Sequence, residues 1–136
     1  MRKDDCIFCK IAAGEIPSAT LYEDADFRVI LDIEPASNGH ALILPKEHYA
    51  NLNELDDELA AKAFVLAKKM ITKLTDILGC EGYNVLQNNG TAAGQTVFHF
   101  HMHLIPRYAE DDVKVGWKPG KLTDEIKEKL LAEMAK

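Results

Sequence analysis

His99-Phe100-His101-Met102-His103-Leu104-Ile105 places three imidazoles at every second position. In a strand, successive side chains alternate faces, so His99, His101 and His103 share one surface and Phe100, Met102 and Leu104 the other. Imidazole titrates near neutral pH and serves as nucleophile, general acid or base, and metal ligand. A His-x-His pair on a strand is also a zinc clamp, which keeps a metallohydrolase open. The neighbourhood favours phosphate chemistry. Gln95 and Thr96 precede the triplet, and the loop Asn88–Gly94 is rich in small residues that let backbone approach a ligand. No Asp or Glu stands on the strand to act as base beside a catalytic zinc.

Cys6-x-x-Cys9 is a second chemical candidate: a redox pair, half of a metal site, or chance spacing. A redox dithiol belongs at a helix N-terminus in a βαβ setting, which this chain lacks. Four-coordinate zinc needs two further donors, and the histidines outside this pair are the natural source. Cys80 has no partner and reads as a buried small residue.

These groups need a framework. Ile7, Phe8, Ile11 and Ala12 suit one or two helical turns, stopped by Gly14. Short strands are expected at Thr20–Glu23, Phe27–Leu31 and Ala41–Leu44, the last closed by Pro45 after the turn-rich Glu34–Gly39. From Asp56 to Leu78 apolar residues recur at helical spacing, with acids at the start and Gly79 just past the end. Tyr83–Gln87 and Val97–Ile105 read as strands, the latter closed by Pro106. Thr123–Met134 reads as a final helix. The expected fold class is α+β: an antiparallel sheet of about five strands, one long helix, and short N- and C-terminal helices.

Length and charge set the limits. The 136 residues make one domain with room for a core. Sixteen basic against 22 acidic residues give a net charge of −6, which excludes a broad nucleic-acid-coating surface but not one phosphate site. Three cysteines are too few for a disulfide scaffold, so a reducing cytoplasm is the expectation. No apolar run reaches a membrane span, and Met1–Asp5 lacks a signal-peptide core.

The histidine segment resembles the His-φ-His-φ-His-φ-φ signature, φ apolar, of the histidine triad family of nucleotide hydrolases and transferases. Similar segments follow in order: Cys6-Ile7-Phe8-Cys9-Lys10-Ile11, Glu15-Ile16-Pro17, Asp32-Ile33, Gly39-His40, Leu44-Pro45-Lys46-Glu47-His48, Asn88 and Gly94-Gln95-Thr96-Val97. The likeness spans residues 6–107, the expected triad domain. Residues 108–136 match nothing and are expected to extend the same domain. The resemblance implies that His101 attacks the α-phosphorus of a purine nucleotide conjugate and forms a covalent nucleotidyl-histidine, that His103 protonates the leaving group, and that His40 supports the phosphate. It implies Gln95, Thr96 and Asn88 as phosphate or ribose contacts and Asp32 as the ribose acid. Phe27 and Ile33 are the apolar candidates for the purine base. It also implies a closed structural zinc on Cys6, Cys9, His48 and His99, and pairing through the long helix and a sheet edge into a homodimer.

Two sequence cues divide the family's branches. Ile105-Pro106-Arg107 is similar to the dinucleoside polyphosphate-cleaving branch, whereas Cys-x-x-Cys and Gly-Gln-Thr-Val are similar to the phosphoramidase, Hint-like branch. Outside these readings stand a metallohydrolase with zinc on His99, His101 and His103, and a nucleotide-binding interaction protein.

Overall fold

The computed structural model describes residues 1–136. Three helices and five strands follow in chain order: α1 (Ile7–Ala12), β1 (Thr20–Glu23), β2 (Phe27–Leu31), β3 (Ala41–Pro45), α2 (Asp57–Leu78), β4 (Gly82–Gln87), β5 (Met102–Arg107) and α3 (Asp124–Met134). The strands form one open antiparallel sheet in the order β1-β2-β3-β5-β4. The α+β expectation holds, with the expected five strands.

The long helix forms where its sequence places start and stop signals. The Asp56 side chain accepts the Glu58 N–H, and Gly79 ends α2 in the left-handed region at φ +66°. Ala63, Leu66, Ala67, Met70, Ile71 and Leu74 make the buried stripe between those ends. It covers one face of the sheet, meeting Phe27, Val29, Ile43, Phe100, Met102 and Leu104 in the main core. Each such side chain contributes about 1.5–3 kcal/mol on burial. The other face carries a smaller core of Ile30, Leu42 and Leu44, against which Phe8 and Ile11 of α1 pack. The candidate histidines belong to this second face: His103 pairs across the ladder with Leu42.

The last strand departs from its expected bounds. Val97–Ile105 reads as strand, but β5 begins at Met102 and runs through Pro106 to Arg107. His99, Phe100 and His101 lie outside the ladder because their polar groups are engaged elsewhere. The Phe100 N–H donates to the Tyr49 carbonyl at 2.6 Å. The alternation survives the irregularity, with Phe100, Met102 and Leu104 in the α2 core.

Gly39 brings the next histidine into place. Its φ is +93°, and a Cβ there would lie 2.4 Å from Leu78 Cδ1 and 3.3 Å from Pro106 Cγ. Only glycine lets the turn pass under the end of α2 and deliver His40 to the edge of β3. No helix is long and apolar enough to cross a membrane. Residues 114–136, including all of α3, are exposed.

Candidate active site

His101 and His103 are carried by β5 and the residues just before it, and His40 by the turn into β3. The His101–His103 ring centroids are 5.0 Å apart and those of His40 and His103 5.1 Å. His40 and His101 are buried, His103 half-buried.

Backbone groups decide which nitrogen of each ring carries the proton. His101 Nδ1 lies 2.7 Å from the His99 carbonyl, which can only accept, so Nδ1 is protonated and Nε2 keeps a free lone pair. The Ala36 N–H donates to His40 Nδ1 at 2.9 Å, which places the His40 proton on Nε2. His40 Nε2 then donates to His103 Nδ1, also at 2.9 Å, leaving His103 with its proton on Nε2. One ring thus presents a bare nitrogen and its neighbour an N–H donor.

Burial keeps these imidazoles neutral. It is the largest cause in each case, lowering His40 and His101 and pushing His103 down to about 4, where the neighbouring His101 and His40 add to the effect. The Asp32 carboxylate opposes it in all three. Its Oδ2 stands 3.7 Å from His40 Nε2, while Oδ1 accepts the Glu34 N–H.

A second cluster adjoins the first. The ligand atoms of Cys6, Cys9, His48 and His99 all lie within 4.8 Å of one another. Cys6 Sγ and Cys9 Sγ are each 3.4 Å from His99 Nδ1, and Cys9 Sγ is 3.3 Å from His48 Nδ1. Tetrahedral zinc, with S and N ligands at about 2.3 and 2.05 Å, separates them by about 3.6 Å. The donor chemistry also fits. His99 Nε2 donates to the Pro45 carbonyl at 2.9 Å, turning Nδ1 toward the sulfurs, and burial holds this ring neutral with a pKa of about 4. Backbone N–H groups of Cys9 and Lys3 point at Cys6 Sγ and Cys9 Sγ, as suits thiolate acceptors. The cluster is positioned to hold a metal.

The remaining expected contacts divide. Asn88 lines the loop with a side-chain amide that makes no hydrogen bond within the chain, 3.5 Å from where a Gly94 Cβ would stand. Thr96 is exposed, in a cleft beside Cys6 and His48 with Ile7 and Phe98. Ile33 is 93% exposed and free to meet a ligand. Phe27 is a correction: it is 1% exposed in the core beneath α2, on the face opposite the histidines, because it shares its side of β2 with Val29. Gln95 is another. Its amide donates to the Ala50 and Val97 carbonyls and accepts the Gly90 N–H, so the side chain braces the loop and has no group left for a phosphate. Arg107 is likewise committed, forked onto Asp111 and bonded to Asn84.

Two participants escaped the sequence reading. Ala36 acts through its backbone N–H, which no side-chain pattern reveals. Phe8 touches His101 edge-to-face with centroids 4.9 Å apart; its place between two cysteines was the available signal. An open groove of about 600 Å³ between α2 and the β1–β2 hairpin contains none of the histidines.

Comparisons with known proteins agree with this geometry. The adenosine 5'-monophosphoramidase of Schizosaccharomyces pombe is 50% identical over 113 residues, covering 82% of this chain and 82% of that protein. A HIT family protein from Bacillus anthracis superposes with a TM-score of 0.89 at 40% identity, over 97% of this chain and 96% of that one. A zinc-bound histidine triad family protein from Mycobacterium smegmatis superposes with a TM-score of 0.76 at 35% identity, over 96% and 94% of the two chains. A family model described as "HIT domain" matches residues 13–110, a span that encloses α2, the whole sheet and all three histidines of the triad: the chain belongs to the HIT domain family.

Proposed function

We propose that the protein cleaves purine nucleotide conjugates of the nucleoside phosphoramidate type at the α-phosphorus, through a covalent nucleotidyl-histidine on His101. The observation that carries this reading is the pairing of a bare His101 Nε2 with a His103 Nε2–H. The bound phosphate anion draws an additional proton onto the hydrogen-bonded His40–His103 pair. His101 Nε2 attacks phosphorus, the P–N bond breaks, and the leaving nitrogen departs as an amine with the His103 Nε2 proton, the pair reverting to its neutral form. Water then attacks the nucleotidyl-histidine; its hydroxyl stays on phosphorus and its proton returns to His103. Asp32 and the exposed Ile33 stand at the end of β2 for ribose and base, and the free Asn88 amide serves the phosphate or ribose side.

The S. pombe relative's phosphoramidase name supports this leaving group. Arg107, in the segment similar to the dinucleoside polyphosphate-cleaving branch, is engaged by Asp111. A catalytic zinc on His99, His101 and His103 gains no support, since His99 Nδ1 faces the cysteines and His103 Nδ1 is taken by His40. Zinc held by Cys6, Cys9, His48 and His99 braces the fold, its four positions filled by protein. A homodimer is supported by the unpaired edge of β4, with exposed Tyr83 and Val85, and by the exposed Phe64 of α2.

The test is to compare an adenosine phosphoramidate with a diadenosine polyphosphate at matched concentrations. The reading expects the phosphoramidate to turn over at least tenfold faster. Preference for the dinucleotide would replace it with the other branch.

A further inference from the structure

Cys6 and Cys9 flank one aromatic side chain, and that side chain rests on the nucleophile. Phe8 is half-buried in α1, its ring 4.9 Å from His101 at an interplanar angle of 87° and 6.1 Å from His99 at 79°. Its segment is fixed from both sides. Cys6 caps α1 by accepting the Cys9 N–H on its sulfur, and Cys9 is buried with its Sγ against two imidazoles. The hydrogen bond to the His99 carbonyl anchors one edge of the His101 ring. It leaves the ring's tilt to whatever packs on it, and Phe8 is the aromatic ring on that side besides His103.

We propose that Phe8 is a positioning residue for His101, holding the imidazole so that Nε2 faces the substrate, and that the four-donor metal cluster sets the position of Phe8. The metal corner therefore reaches the nucleophile by two routes: the His99 backbone carbonyl and the Phe8 ring. This rests on the reading of His101 as nucleophile. An edge-to-face aromatic contact is worth about a three- to tenfold change in a rate that depends on the pose.

The test uses the full chain loaded with zinc, as wild type, Phe8→Leu and Phe8→Tyr. The first readout needs no turnover: the ¹⁵N resonances of the His101 ring in substrate-free protein. Wild type and Phe8→Tyr should each show a single sharp Nδ1-protonated form. Phe8→Leu, at unchanged zinc content, should show exchange-broadened His101 resonances. Chelation of wild-type protein should broaden them likewise, which keeps the test alive should Phe8→Leu fail to fold. In turnover of the phosphoramidate, Phe8→Leu should lower kcat about three- to tenfold with KM within twofold of wild type, and Phe8→Tyr should restore most of kcat. Identical His101 resonances in wild type, Phe8→Leu and metal-free protein overturn the proposal. So does a loss confined to KM, which would make Phe8 a substrate contact. Should no substrate turn over, the nucleotidyl-histidine reading fails while the resonances still judge the positioning role.

Discussion

His99 and His101 stand two residues apart with the same side chain, and the fold gives them opposite tasks. His99 ties Nε2 to the Pro45 carbonyl and turns Nδ1 inward to a four-donor cluster closed by protein. His101 ties Nδ1 to the His99 carbonyl and leaves Nε2 bare. The difference does not come from the imidazole. It comes from which nitrogen a backbone carbonyl claims, and from whether the other nitrogen faces sulfur or has no hydrogen-bond partner. On the proposed reading, one corner stabilises and the other reacts.

Substitutions on the two sides should therefore fail in different ways. His101→Ala is expected to lower kcat by about four orders of magnitude, because the group that forms the covalent bond is gone, with the Tm moved by only a few degrees. Steady-state kinetics beside a thermal melt check both halves. Cys9→Ser should do the reverse, releasing the metal and lowering stability by about 3 kcal/mol, or roughly 10 °C in Tm. Metal analysis and calorimetry read it. Loss of zinc with an unchanged melt would break the contrast.

Acid sharpens the comparison on the reactive side. His103 has a pKa of about 4 in the fold, set first by burial and then by His101 and His40, with Asp32 opposing. The unfolded chain binds this proton near pH 6.5, so the stability that neutral His103 contributes is present above pH 6.5 and lost as pH falls toward 4. Between pH 7 and pH 5 wild type should lose about 1–2 kcal/mol more than His103→Asn, after allowance for partial exposure. Denaturant melts of both proteins at the two pH values isolate the effect, since the metal cluster is common to them. Parallel losses would show that His103 is not held neutral by the fold.

What was legible in the sequence follows the range of the interactions responsible. α2 is written in local spacing and in the Asp56 and Gly79 caps, and the structure reproduces it to within a residue. Gly39 before His40 announced a special backbone position, although the contact with Leu78 that requires it could not be read. The errors all involve distant partners. Phe100 leaves the ladder for Tyr49, and Gln95 is taken by Ala50, 45 residues away in sequence. Phe27 was a candidate for the base because it is apolar, but apolarity does not say which face of the sheet α2 will cover. Residues 114–136 offered no motif, and in the fold they are exposed.

The central claim is that His101 becomes covalently bonded to phosphorus. Rapid-quench mass spectrometry of a single turnover, with an adenosine phosphoramidate and quenching under alkaline denaturing conditions, tests it most directly. The account predicts a transient nucleotidyl adduct on the peptide carrying His101, formed and lost at rates consistent with kcat, and absent from His101→Ala. Turnover at full rate with no adduct at any quench time, or an adduct on another residue, would contradict it.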